Sequence, residues 1–311
     1  MNEKQVSLAN FNCTFGVKEE PMLNYLEEFV LPAFTSGIVR EISEDTEFFL
    51  ENVKLIEFEP EKFALAGLIV KSTVLEVKSK REDGKLKLTD FKYPADPFSI
   101  FIIFLENHRM VLVKNQKGSP DLRSFSATVK YIMRKYQVTE NGQREKENKL
   151  PFARLNVVDL PSLDSIAKKL EDVKKIKRLI MKIYPTNGDF DFNDTIDGLL
   201  EQLENVGGNT SSYIINSPTQ INNVGQLISD TQGIVKSKLE VVYKSGSTGN
   251  ITNKGFSDNF KMKFELENNI EKDSSKIIEL VKFKDQLFKV SPDNSGNYKR
   301  KIPFLKQFIN K

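Results

Sequence analysis

Few residues in this chain combine into recognisable chemistry. Glu57 and Glu59 fall at the end of one strand-like run, and Glu76-Val77-Lys78 falls within the next. Carboxylates on neighbouring strands can hold Mg²⁺, and a lysine beside them can stabilise charge at a reacting phosphate. Glu59 (or Glu57), Glu76 and Lys78 therefore outline a Mg²⁺-dependent nuclease. An E-x-K triplet also puts both polar side chains on one face of any solvated strand. The competing expectation is a protein with no catalytic residue, no metal site and no cofactor.

The one histidine, His108, stands in IFIIFLENHRMVLVK between two apolar runs of strand length. A catalytic imidazole needs a base or nucleophile held beside it. The polar residues from Glu106 to Arg109 fit a short hairpin loop instead. His108 is assigned to that turn, with Arg109 a solvated neighbour. The one cysteine, Cys13, allows neither an internal disulfide nor a cysteine zinc cluster. Zinc deaminases and metalloproteases are excluded by the same counts. GxxxxGK[ST] and GxGxxG do not occur, and the glycine-rich SGSTGNITNKG at 245–255 reads as a flexible loop.

These groups need a scaffold, and 311 residues suffice for two domains with a core in each. Charged residues make up 29% and apolar residues 39%, the balance of a folded, soluble chain. No apolar run approaches the roughly 18 residues that span a bilayer, so direct membrane insertion is not expected. MNEKQVSLANFNC lacks the pattern of a secretory signal, and a cytoplasmic location is expected.

Periodicity gives an α+β fold of two domains, each a mainly antiparallel sheet with packed helices. The first covers residues 1–137, a linker 138–150, and a basic second domain 151–311. In the first, Met22, Leu23, Leu26, Phe29 and Val30 fall at helical spacing after Pro21. VREI, FFLENVKLIEF and FALAGLIVKSTVLEVKSK are strands, REDGKL is a turn, and YPADPF is a rigid approach to the hairpin around His108. Ser119 is expected to cap a following helix, with Pro120 in its first position and Leu122, Phe125, Val129 and Ile132 or Met133 inward. VTENGQREKENK is polar and aperiodic and marks the linker.

In the second domain ARLNVVDL is a strand, and residues 161–177 form a helix on Leu163, Ile166, Leu170, Val173 and Ile176. RLIMKIYP is a strand stopped by its proline. Residues 188–193 turn the chain into a helix that buries Leu199, Leu200 and Leu203. NNVGQLISDTQGIV is a further helix, and KLEVVYKSG and FKMKFELE are strands.

Charge is distributed unevenly. Residues 1–62 hold 13 acidic and 5 basic side chains, a balance of −8, which leaves +11 on the remainder of a chain whose total is +3. A protein that neutralises several phosphates gains most of its non-specific affinity from counterion release and needs only cations spread over one face. Lys168, Lys169, Lys174, Lys175, Lys177, Arg178 and Lys182 fall on the expected helix and strand, and Lys299, Arg300 and Lys301 lie in the tail. They are the expected nucleic-acid contacts. A solvated amphipathic helix accounts for the same pattern.

The succession FALAGLIVKSTV, SIFIIFLENHRMVLVKNQKGSPDLRSF and SLDSIAKKLEDVKKIKRLIMKIYP resembles the RexA family of phage exclusion proteins. The shared order is a strand pair, a Gly-Pro-containing loop with Asp-Leu-x-x-Phe, and a lysine-rich helix before a strand and proline. It also resembles the KwaB component of Kiwa anti-phage systems. The likeness spans residues 60 to 190, and Gly118-Ser119-Pro120 carries an extra loop residue relative to it. What the resemblance implies is a homodimeric, non-enzymatic protein that binds double-stranded DNA with little sequence preference and acts in phage exclusion or anti-phage defence, beside a membrane or effector partner. The alternatives are the Mg²⁺-dependent nuclease and a subunit without a nucleic-acid role, whose acidic first part meets a partner protein.

Overall fold

The opening residues alternate Ala9, Phe11, Cys13 and Phe15 with Asn10, Asn12 and Thr14, the two-residue period of a strand. The computed structural model describes residues 3–185, 194–257 and 259–309. In it this stretch is β1 (Glu3–Phe15), buried on both faces for nearly its whole length. The first sheet then takes β2 (Glu20–Pro21), β3 (Arg40–Ser43), β4 (Thr46–Glu59), β5 (Lys62–Glu82), β6 (Lys85–Ala95), β7 (Phe98–Phe104), β8 (Arg109–Lys114) and β9 (Ala153–Asp159). A second sheet has the order β11 (Ser211–Asn216), β10 (Val173–Ile183), β12 (Lys236–Tyr243) and β13 (Thr248–Thr252). The last strand, β14 (Asn259–Lys263), returns to the first sheet beside β1. All pairings are antiparallel among the described residues, and with the helices this is the expected α+β class.

Helices cover these sheets. A helical run from Met22 ends in α1 (Leu31–Phe34); it and α2 (Leu122–Asn141) cover one face of the first sheet. There Phe11, Phe101 and Phe125 meet with ring centroids 5.1 to 6.2 Å apart. The helices α3 (Leu163–Leu170) and α5 (Ile221–Asp230) cover the inner face of the second sheet. The chain also forms α4 (Asp194–Asn205) and the single turn α6 (Asn253–Phe256). Near the end, α7 (Ile270–Val281) packs on the other face of the first sheet, and α8 (Pro292–Ile309) returns to the first face through Tyr298 and Leu305. Around β1, β8, β7 and the first half of β5 both faces of the first sheet are thus apolar and covered, the β5–β6 extension is exposed, and the second sheet is covered on one face.

Several boundaries differ from the sequence-based expectations. The two sheets do not divide the chain at 138–150: α2 runs on through Asn141, and β9 and β14 pair with β1. Asp121, rather than Ser119, caps α2, its carboxylate accepting from Ser124 N at 2.9 Å. The stretch 161–177 is not one helix, since α3 stops at Leu170 and β10 starts at Val173. Bulges at Val173/Lys175 and Ile176/Arg178 insert an extra residue into each repeat, so Val173, Ile176 and Leu179 recur every third residue and imitate a helix. SGSTGNITNKG is the β12–β13 hairpin rather than a free loop. The expected turn at 188–193 lies outside the described residues.

The β7–β8 turn is buried. His108 has φ of +53°, a left-handed conformation in which histidine is enriched, and its carbonyl accepts from Phe11 N at 2.8 Å. Arg109, expected in solvent, is fully buried and donates to Gln232 O and Gln232 Oε1. Asn107 donates to Leu287 O at 2.7 Å and to Lys289 O at 3.0 Å, while its own oxygen accepts from Arg109 N at 3.0 Å. Removing such a buried amide strands its partners at a cost of about 1–3 kcal/mol. Asn107→Ala should lower the unfolding free energy by that amount, seen as a lower urea midpoint at an unchanged denaturant slope.

Candidate nucleic-acid interface

The uncovered face of the second sheet follows from strand parity. On β10, Ile176, Leu179, Met181 and Ile183 point into the core, so Arg178, Ile180 and Lys182 point out. Register with β12 sets Arg178 opposite Glu240, Ile180 opposite Lys238 and Lys182 opposite Lys236. Lys175 pairs with Val242 on the same outer face, and the bulges leave Lys174 and Lys177 exposed beside it. Its one strand carboxylate among the described residues, Glu240, meets Lys238 at 3.1 Å and Arg178 at 3.7 Å. The cations outnumber it, and the face is strongly positive.

At one end of this face stands Tyr184. Lys182 Nζ lies 5.4 Å and Lys236 Nζ 5.0 Å from the centre of its ring, within cation–π range. Partial burial lowers the pKa of Lys236, and the charges of Lys130 and Lys182 lower it further, against the opposing pull of Asp159. Desolvation likewise lowers the pKa of Lys130 and raises that of Tyr184. Cations from α2, β10 and β12 therefore act on one another at the junction of the two sheets.

The ten cations singled out from the sequence do not form one surface. Lys174, Lys175, Lys177, Arg178 and Lys182 all lie on β10. Lys168 and Lys169 are on α3, which packs Ile166 and Leu170 against the inner face, so they project from the opposite layer. Lys299, Arg300 and Lys301 are on α8, fixed to the first sheet where the Tyr298 hydroxyl accepts from Phe63 N at 2.8 Å. Lys236, Lys238 and Tyr184 were missed. KSKLE shows the two lysines on one strand face, but only the β10–β12 register sets them among the other cations.

The nuclease residues do not assemble. Glu59 sits where β4 meets β5 opposite Lys62, and Glu76 is fourteen residues further along β5, roughly 45 Å of extended strand. Glu59 pairs with Lys62 at 2.8 Å and Lys282 at 3.0 Å, which lowers its pKa. Glu76 and Lys78 bond each other at 2.8 Å on the two-stranded β5–β6 extension, and Lys78 also reaches Asp90 at 3.1 Å. Glu57 accepts from the backbone N–H of Glu61 at 2.8 Å. No group of three or more His, Cys, Asp or Glu able to hold a metal occurs among the described residues. Among them also, no helix is long and apolar enough to cross a membrane.

No family model, curated protein or solved structure matches the chain. With Glu59 so far from Glu76, supercoiled plasmid incubated with the protein and Mg²⁺ or Mn²⁺ should stay intact on a gel. Nicking that is lost in Glu76→Gln would overturn that geometry.

Proposed function

We propose that this protein binds double-stranded DNA with little sequence preference through the outer face of the second sheet, and that it serves in phage exclusion or anti-phage defence. The observation that carries the reading is the array of Lys175, Arg178, Lys182, Lys236 and Lys238 on one uncovered sheet face, opposed among the described residues by Glu240 alone of the strand carboxylates. Aliphatic Ile180 and Ile214 lie between these cations, opposite one another across β10 and β11. A face of this kind contacts phosphates by charge and offers few groups to read bases, so affinity for any duplex should be similar. The defence role and a homodimeric state rest on the resemblance to RexA-like and KwaB-like proteins.

Compared with the surface expected from the sequence, the proposed one keeps the β10 cations and adds Lys236 and Lys238. It omits Lys168, Lys169 and the α8 cations, which face elsewhere. Binding of a labelled duplex should weaken steeply with salt, log K falling by about 0.9 per phosphate neutralised for each decade of salt. Arg178→Glu with Lys182→Glu should weaken binding by about tenfold or more on every duplex and reduce that slope by about two. Lys299→Glu with Arg300→Glu should change binding much less. Salt-independent affinity, or a larger loss from the α8 pair, would overturn the assignment.

A further inference from the structure

A cavity of about 460 Å³ opens where the edge strand β9, helix α2 and the end of β10 meet. Its lining includes Lys130 and Arg134 from α2, Phe152, Arg154 and Asn156 from β9 and its approach, and Tyr184 after β10. This volume lies within the range of small-ligand sites. Lys130 and Arg134 are one helical turn apart and share a side of α2. Tyr184 carries Lys182 and Lys236 on its ring, so the cationic face described above runs to the rim of the cavity.

Four of these cations are not held in ion pairs. Lys130, Arg134, Lys182 and Lys236 form no ion pair within 4.0 Å among the described residues, while Arg154 is held by Glu19. The carboxylate that does act on Lys236 is Asp159, itself partly desolvated by burial. Lys182 and Lys236 are directly opposite on adjacent strands, an arrangement that like charges disfavour. A dianionic group would relieve this repulsion, and a phosphomonoester carries about −1.5 to −2 charges at neutral pH. Beside the cations the cavity offers the ring of Phe152, 38% exposed. The Arg154 guanidinium lies 4.9 Å from the centre of that ring, and an anion site next to a part-exposed aromatic ring fits a phosphate joined to a planar base.

We infer that this cavity binds a nucleoside phosphate, the phosphomonoester on Lys130 and Arg134 of its lining with Lys182 and Lys236 outside the lining at the Tyr184 rim, and the base against Phe152. Such a group is found on a free nucleotide and at a 5′-phosphorylated strand end. In the strand-end form the inference rests on the DNA-binding reading above; in the free-nucleotide form it does not.

Four probes separate these cases: adenosine monophosphate, adenosine, one short duplex with 5′-phosphate or with 5′-hydroxyl ends, and closed circular plasmid. Either the monophosphate should bind saturably where adenosine does not, or the phosphorylated duplex should bind about tenfold tighter than its hydroxyl twin at equal salt. End preference without mononucleotide binding identifies the strand end as the source, and the reverse identifies the free nucleotide. Lys130→Ala with Arg134→Ala should abolish the phosphate-dependent gain while leaving plasmid binding and the thermal unfolding midpoint unchanged. Mononucleotide binding with no plasmid binding would overturn the DNA reading and keep this one. Equal affinity for both duplexes together with no mononucleotide binding would overturn it, as would a gain that survives in the double variant.

Discussion

Strand β1 has two edges and two faces, and all four are occupied. One edge takes β14 and then β9, the other takes β8, so residues from both ends of the chain depend on one register. A shift of one residue would exchange its faces, setting Phe11, Cys13 and Phe15 against polar surroundings. Its even-numbered face changes character along its length. Val6 and Leu8 belong to the core beneath α7, whereas Asn10, Asn12 and Thr14 are buried polar residues further on. At the seam with the second sheet Asn12 donates to Pro185 O, and Arg109, opposite Asn10, reaches Gln232, while Asn10 Oδ1 is buried without a hydrogen-bond partner among the described residues. This seam sets the end of β10 beside β9 and α2.

From that placement the electrostatics follow. Because α3 and α5 cover the inner face of the second sheet, its outer face is left to the polar residues of β10 and β12. In β10 the bulges raise the number of cations per unit of strand above what simple alternation allows. Where the strand ends at the seam, its last outward lysine meets Lys236, which is within electrostatic range of Lys130, a residue more than a hundred positions from it in the sequence. A fold with both sheets covered on both faces would lack such a surface. The first sheet is enclosed around β1, and the second is left open on one face.

Legibility in the sequence followed how local the physical signal was. Strands β4, β5, β7 and β8 are apolar or β-branched runs broken by turn residues, and they were readable. In β1 the apolar residues recur at every second position, but Asn10, Asn12 and Thr14 look like a solvent face when they are in fact buried at a seam. The β10 bulges turned a strand period into a helical one and placed three cations, Lys174, Lys175 and Lys177, on a helix that does not extend to them. A chain-wide basic excess could not say which cations face the same way. Nor could it show that the E-x-K carboxylate lies a long strand away from Glu59, since that depends on the length of β5 beyond its pairing with β4. Arg109 was misplaced for the same reason: its burial comes from Gln232, far along the chain.

Lysine-reactivity mapping tests the central claim most directly, because it reads each amine separately with and without duplex DNA at low salt. Protection of Lys174, Lys175, Lys177, Lys182, Lys236 and Lys238, with Lys168, Lys169, Lys299 and Lys301 modified at their free rate, is the expected result. Protection of the α3 or α8 lysines in place of the β10 and β12 set, or of no lysine at all, would contradict it.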